Sequence, residues 1–243
     1  MVRIWSAILA LLLAFGILPV QAQALQPRAS IVSFGLWDAQ KLFRLEAARG
    51  AAVLAKDFGA GPRVTIRANT PRHPDATPAA LAEALMLTAR GMDKERDVLF
   101  VLLTSHGSQD GIAVRIGHGV VLISPAALGA MLARTGVKHR VLIISACYSG
   151  VFANALADAD TLVLTAADAD HPSFGCTNTA TSTYFGQALF NEALGQTRSL
   201  PQAFELAKVS IAKRERAQKF DPSNPQMRGG ENVLPLLDAL AGK

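Results

Sequence analysis

Two stretches decide the fold: residues 97–107 read DVLFVLLTSHG and residues 140–150 read RVLIISACYSG. Each starts with a continuous apolar run, which is typical of a β-strand that is covered on both faces. Each then passes into small and polar residues and closes with glycine. Strands of this kind belong to parallel sheets with helices on both sides, so the two stretches predict an α/β protein.

Strands alternate with helices outward from this pair, and no linker separates two cores, which predicts a single domain over residues 25–243 with a largely parallel sheet. Residues 220–231 are rich in Pro, Gly and Asn and are expected to be irregular. The further predicted strands are residues 30–36, 63–68, 112–116, 120–123 and 161–165. The predicted helices are residues 38–57, capped by Asp38, then 77–90, 124–134, 181–193, 201–218 and 232–240.

Residues 1–24 read MVRIWSAILALLLAFGILPVQAQA, the pattern of a secretory signal peptide. Arg3 supplies a basic start, residues 4–18 form an apolar core too short for a comfortable membrane span, and Ala22-Gln23-Ala24 matches the small-x-small cleavage pattern. We expect cleavage and a periplasmic or secreted location, with an uncleaved anchor as the alternative. No later run is long and apolar enough to span a bilayer, so no stable span is expected after cleavage.

Composition places the chain among globular proteins: 50% of its 243 residues are hydrophobic and its formal net charge is +5. The basic run at residues 213–216 is interrupted by Glu215, which favours a solvated helix face over a nucleic-acid site.

The chain has only two cysteines, Cys147 and Cys176, which are too few for a disulfide framework. They either pair once or act as one reactive and one structural thiol.

Chemically capable residues follow both central strands, His106 after the first and Cys147 after the second. Active sites of open parallel sheets lie beyond the carboxyl ends of the strands, so neighbouring strands would bring both side chains to one edge. An imidazole can generate the reactive thiolate. Gly107 lets its N–H approach a reacting carbonyl, and with the N–H of Cys147 it would form an oxyanion hole.

The alternative is that Cys147 is a small buried hydrophobe and His106 a structural residue. Their joint occurrence at strand ends, each followed closely by glycine, favours catalysis. The segment Asp168-Ala169-Asp170-His171 has no further ligands at helical spacing, so no metal site is predicted there and a polar loop beside the active site is favoured.

Four ordered blocks resemble the legumain family, which includes asparaginyl endopeptidases and the catalytic subunit of the glycosylphosphatidylinositol transamidase. It belongs to a caspase-like clan with caspases, gingipains and separase. The blocks are LLTSHGS at residues 102–108, IISACYSG at 143–150, TLVLTAADADHPSFGC at 161–176 and STYFG at 182–186. The chain is most similar to the compact, secreted bacterial members.

This resemblance implies a caspase-like three-layer sandwich with a central sheet of about six strands. It also implies a His106/Cys147 dyad with no metal or organic cofactor, with Gly107 as an oxyanion donor. Ser173 matches a position that lines the primary specificity pocket. The expected activity is that of a cysteine endopeptidase acting on peptides or proteins through an acyl-enzyme thioester.

The chain departs from the family at the pocket that reads the residue before the cleaved bond, P1. Ser145 stands where legumains have Glu, and Gln187 stands where they have Asp. Arg44 is the nearest match to the pocket arginine and would favour an acidic or amide P1 side chain. P1 therefore stays open, with Asn or Asp as candidates. The alternative functions are a catalytically silent binding module and a transpeptidase that uses the same thioester, and the oligomeric state is open.

Overall fold

The structure is a computed structural model that describes residues 26–242. The expected signal peptide, residues 1–24, lies outside the described residues. Within them, the strands in chain order are β1 (Ala29–Gly35), β2 (Val64–Ala68), β3 (Val98–Thr104), β4 (Gly107–Ser108), β5 (Gly111–Ile116), β6 (Gly119–Ile123), β7 (His139–Ser145), β8 (Thr161–Thr165) and β9 (Gln226–Arg228). The helices are α1 (Lys41–Asp57), α2 (Pro78–Arg90), α3 (Pro125–Thr135), α4 (Gly150–Leu156), α5 (Tyr184–Gly186) with its π-helical continuation (Gln187–Ala193), α6 (Leu200–Gln218) and α7 (Leu234–Leu240).

A six-stranded sheet in the order β2-β1-β3-β7-β8-β9 forms the centre of the molecule. Its first five strands are parallel, and β9 adds to the edge in antiparallel direction. Every residue of β1, β3 and β8 is buried, as their apolar sequences require in a sheet covered on both faces. The predicted mostly parallel sheet of about six strands is confirmed.

Helices cover both faces of this sheet, because successive side chains of a strand point to opposite sides. Phe100 and Leu102 of β3 belong to one hydrophobic core, and Val101 and Leu103 belong to the other. The first core is closed by residues of α1, the π-helical segment, α6 and α7. The second is closed by residues of α2, α3 and α4. This is the expected three-layer sandwich.

The predicted hairpin is present as β5 and β6, and β4 pairs with β5 to make a small separate antiparallel sheet. It follows directly after β3, so it stands beside the carboxyl edge of the central sheet. The main chain of residue 113 donates to the carbonyl of His106 at 2.9 Å, which fastens the hairpin to that edge.

Three local expectations differ from the structure. The predicted helix cap Asp38 does not cap α1, whose N-cap is Gln40; Asp38 instead accepts a hydrogen bond from the N–H of Gly117. The predicted helix at residues 181–193 begins at Tyr184 and changes to π-helical geometry from Gln187. The segment at residues 220–231 is not wholly irregular, because it contains β9. No helix among residues 26–242 is long and apolar enough to cross a membrane.

Candidate active site

The two central strands lie next to each other and in register, so their ends coincide. Thr104 of β3 is paired with Ser145 of β7, and the N–H of Ser105 donates to the carbonyl of Ser145 at 3.1 Å. His106 and Cys147 each come two residues after this last pair. The sequence therefore brings both residues out of the sheet at the same edge.

Gly107 lies directly against the backbone of Cys147. A Cβ atom at this position would stand 2.5 Å from the carbonyl oxygen of Cys147 and 3.1 Å from Cβ of Ala146. Contacts of 2.5 Å are closer than real Cβ atoms come to neighbouring atoms, so only glycine fits unless the backbone moves. The backbone of Gly107 is thereby held against that of Cys147, whose thiol is half-buried.

Cys147 sits in a sharp turn between β7 and α4. Tyr148 has φ 55°, in the left-handed region that residues other than glycine rarely adopt. Its N–H donates to the carbonyl of His171 at 2.9 Å. Gly150 packs against the next loop, where a Cβ would stand 2.4 Å from the backbone nitrogen of Ala169. The turn is fixed by these contacts and holds the thiol at the edge of the sheet.

The sulfur of Cys147 is contacted by Ser173. The Sγ atom lies 3.4 Å from the carbonyl oxygen of Ser173 and 3.7 Å from its Oγ. Ser173, predicted to line the specificity pocket, is therefore adjacent to Cys147.

The imidazole of His106 is half-buried between two aromatic rings, those of Trp37 and Phe43, which meet it edge-on at centroid distances of 4.7 and 5.0 Å. Burial disfavours the charged imidazolium and lowers the pKa of His106 below its usual value. The ring therefore stays neutral to lower pH than an exposed histidine does.

Gln40 orients this imidazole, and the sequence analysis missed it. Its Oε1 lies 2.6 Å from Nε2 of His106, while its Nε2 donates to the carbonyl of Cys176 at 2.8 Å. The second bond fixes which way the amide faces. Because an amide oxygen only accepts, Nε2 of His106 carries the proton and Nδ1 is left as the acceptor. Nothing in the local sequence indicated this, since the bonds join residues far apart in the chain.

Cys176 is a different kind of thiol from Cys147, although both are free. Burial, together with the proximity of Cys147 and Glu46, raises the pKa of Cys176 to about 12. A thiol with this pKa is almost entirely protonated near neutral pH and is a poor nucleophile. Of the two cysteines, Cys147 is the one in a position to react.

The remaining predicted pocket residues are not all brought together. Ser145 is buried at the end of β7, with its Oγ 3.2 Å from Oγ1 of Thr183. Gln187 lies in the π-helical segment, where its side chain bonds to Asn191 and Glu192. Arg44 does not join them: it is exposed and lines a surface cavity with Arg67, Thr70 and Asp75 among others.

A buried carboxylate that the sequence analysis did not consider, Glu46, lies close to Ser145. It is 1% exposed and accepts hydrogen bonds from Oγ1 of Thr104 at 2.8 Å, Oγ of Ser182 at 3.1 Å and the N–H of Thr183 at 2.7 Å. It ties α1 to the end of β3 and to the segment that starts α5. The signal in the sequence was an acidic residue on the buried face of α1.

We expect Glu46→Ala to lower the free energy of unfolding by about 3 kcal/mol, because the buried donors of Thr104 and Thr183 and the half-buried hydroxyl of Ser182 lose their acceptor. Chemical denaturation measures this. Glu83→Ala is the matched control: Glu83 is 59% exposed and pairs with Arg67, so its loss should cost less than about 1 kcal/mol. Equal effects of the two changes would contradict the structural role of Glu46.

The loop after β8 carries a second histidine, His171, whose carbonyl accepts from the N–H of Tyr148, the residue after Cys147. Nδ1 of His171 lies 2.8 Å from both carboxylate oxygens of Asp168, and Asn224 donates to Oδ2 of Asp168 at 3.0 Å. Burial raises the pKa of Asp168, but hydrogen bonds from the backbone of Asp170 and from both side chains outweigh it and hold that pKa below its usual value. Among residues 26–242, no three His, Cys, Asp or Glu side chains gather as a metal site would require.

Comparison with known proteins agrees with this geometry. Residues 87–233 match the sequence model of the Peptidase C13 family. A search of curated proteins finds no match. Among solved structures, the crystal structure of caspase-1 from Spodoptera frugiperda is similar, with a TM-score of 0.57 at 17% sequence identity over 84% of this chain and 87% of that one. At this identity the likeness concerns the fold, and it confirms the predicted caspase-like architecture.

Proposed function

The chain belongs to the peptidase C13 family, the legumain family, and is a cysteine-type peptidase; we propose that it is an endopeptidase that works through a Cys147–His106 dyad. The observation that carries the proposal is that β3 and β7 end at the same edge of the sheet. His106 and Cys147 both follow these strand ends, and the backbone of Gly107 packs against that of Cys147. Peptides and proteins are the substrates that this family implies.

In the proposed reaction, Nδ1 of neutral His106 takes the proton of the Cys147 thiol, and the thiolate attacks the carbonyl carbon of the scissile bond. The N–H groups of Gly107 and Cys147 stabilise the oxyanion that forms. The imidazolium then gives its proton to the leaving amine, and a thioester remains. Water, deprotonated by His106, releases the acid product and restores the thiol.

Pocket chemistry supports a P1 site next to Ser173, with Ser145 and Thr183 beneath it. Ser145 and Gln187, at the two positions where legumains carry acidic residues, are uncharged, while the buried carboxylate of Glu46 lies nearby and accepts from the N–H of Thr183. A periplasmic or secreted location is supported by the leader sequence alone, and Edman sequencing of the mature protein would test it.

Digestion of a peptide library, with the products mapped by mass spectrometry, tests the proposed function. We expect cuts at internal bonds, with a preference on the P1 side of the cleaved bond. Removal of terminal residues only, or no cleavage of any member by folded protein, would contradict an endopeptidase.

Gln40 is a positioning residue in this account, and Gln40→Ala is expected to lower kcat/KM by about 10- to 100-fold, because the imidazole loses its orientation.

The acid limb of the wild-type profile, where kcat/KM falls as His106 becomes protonated, should lie below the usual histidine pKa of about 6.5, because burial keeps His106 neutral. In Gln40→Glu the carboxylate stabilises the imidazolium and raises the pKa of His106, so the acid limb moves to higher pH.

The pH–rate profiles of the three proteins measure this effect. A purely structural role for Gln40 would lower activity without moving the limb, and an unmoved limb in Gln40→Glu would contradict the assigned contact.

A further inference from the structure

An aromatic pair lies on the surface beside the nucleophile and has no part in the reaction described above. The rings of Phe174 and Phe220 are stacked, with centroids 4.3 Å apart and planes 15° from parallel. Phe220 is 41% exposed and Phe174 is half-buried. Partly exposed stacked aromatics offer a large apolar surface at little conformational cost to whatever binds them.

Phe174, one ring of the pair, directly follows the residue that contacts the catalytic sulfur. Ser173 contacts Sγ of Cys147 through both its carbonyl oxygen and its Oγ. Phe174 is the next residue, and consecutive Cα atoms of a trans chain are about 3.8 Å apart. A peptide lying along this segment with its attacked residue at Ser173 therefore has its neighbouring residue at Phe174.

Phe220 is held in place by the segment that follows α6. Ser223 accepts a hydrogen bond from the N–H of Asp168 at 2.9 Å through its carbonyl, and Asn224 donates to the carboxylate of Asp168 at 3.0 Å. The N–H of Ser223 donates to the buried carboxylate of Glu215 at 3.1 Å. Residues 220–224 are thus fastened to the loop next to Cys147, which fixes the ring of Phe220 against Phe174.

The position of His106 indicates which side of the cleaved bond, acyl or amine, lies along Ser173 and Phe174. The imidazole has to face the departing amine, and it is packed between Trp37 and Phe43. Ser173 contacts the sulfur itself, so the acyl part of the substrate is assigned to the segment that Ser173 and Phe174 form. The residue at Phe174 is then the one before P1, called P2.

We propose that Phe174 and Phe220 form a subsite that selects an apolar side chain at P2 of the substrate. This inference rests on the proposed peptidase function and adds a substrate preference to it. Neither ring carries a charge or a hydrogen-bonding group, so burial of apolar surface favours leucine or phenylalanine over serine at P2.

Two electrophilic peptide probes that differ only at P2, leucine in one and serine in the other, test this subsite. Both label Cys147 without turnover, and their labelling rates are compared. In the wild-type protein the leucine probe should react about ten-fold faster or more, the discrimination typical of an apolar pocket. In Phe220→Ala this ratio should fall towards one, and in Phe220→Leu it should be partly kept.

Val209→Ala is the matched control, because Val209 is another exposed apolar residue, 70% exposed, on α6. It should keep the wild-type ratio. Iodoacetamide, which has no P2 group, should label Cys147 at the same rate in all four proteins, which separates a lost subsite from a damaged site.

Equal rates for both probes in the wild type, or an unchanged ratio in Phe220→Ala, would overturn the subsite while labelling of Cys147 still supports the peptidase function. If neither probe labels Cys147 and no peptide is cleaved, the proposed function itself fails and the subsite falls with it.

Discussion

Replacing Cys147 with alanine is expected to lower kcat/KM for peptide cleavage by about 10⁴-fold or more, since no other group in the site can form the thioester. The thiol is half-buried at the end of β7, and its removal leaves the sheet and the turn intact. The measurement is kcat/KM on the best library substrate, with far-UV circular dichroism to show that the variant is folded.

Cys176→Ala is the control for this change. Its side chain is a half-buried, protonated thiol with a pKa of about 12, and its carbonyl, which accepts from Gln40, survives the substitution. Activity should stay within a few-fold of the wild type. Full activity in Cys147→Ala, or a loss in Cys176→Ala as deep as in Cys147→Ala, would assign the nucleophile to the wrong cysteine.

The second large effect is expected for Gly107→Ala, which should lower kcat/KM by about 10²-fold or more. The added methyl group would stand 2.5 Å from the carbonyl oxygen of Cys147, so the backbone of residue 107 has to move away. That displacement misplaces an oxyanion donor, and losing one such donor typically costs about 10²- to 10³-fold in kcat.

Gly119→Ala, in the nearby hairpin, is the matched control. A Cβ at Gly119 meets only the carbonyl oxygen of Ile116, at 3.6 Å, which is an ordinary contact. Its kcat/KM should equal that of the wild type. If Gly107→Ala keeps wild-type kcat, the N–H of Gly107 is not an oxyanion donor.

The core of this arrangement was predictable because it depends on local pattern. The apolar runs of β3 and β7 are continuous, and parallel strands that neighbour each other must end at one edge, so the arrival of His106 and Cys147 at the same edge follows from sequence. Gly107 was recognisable for the same reason, since it follows the histidine directly.

What was not predictable depends on contacts between distant parts of the chain. Gln40 acts through a loop that follows 136 residues later, and Glu46 through residues 182 and 183. No spacing rule links such positions. The edge strand β9 was missed because its three residues, QMR, lack an apolar alternation and lie among residues typical of loops.

Arg44, the predicted pocket arginine, does not reach the pocket. Arg44 is displaced by about one position from the arginine of the family pattern, and because a helix turns by about 100° per residue, a shift of one position changes the face on which a side chain lies. In the structure that side chain is exposed beside Arg67 and Asp75, on the side of β2.

The central claim is that Cys147 is a nucleophile activated by His106, and covalent labelling tests it most directly. A peptide carrying an electrophile at P1 is incubated with the wild type and with His106→Ala, and the labelled residue is located by mass spectrometry of the digested protein. We predict a label on Cys147 alone, formed about 10²-fold or more slowly in His106→Ala at neutral pH. A label on Cys176, or equal rates in the two proteins, would contradict the account.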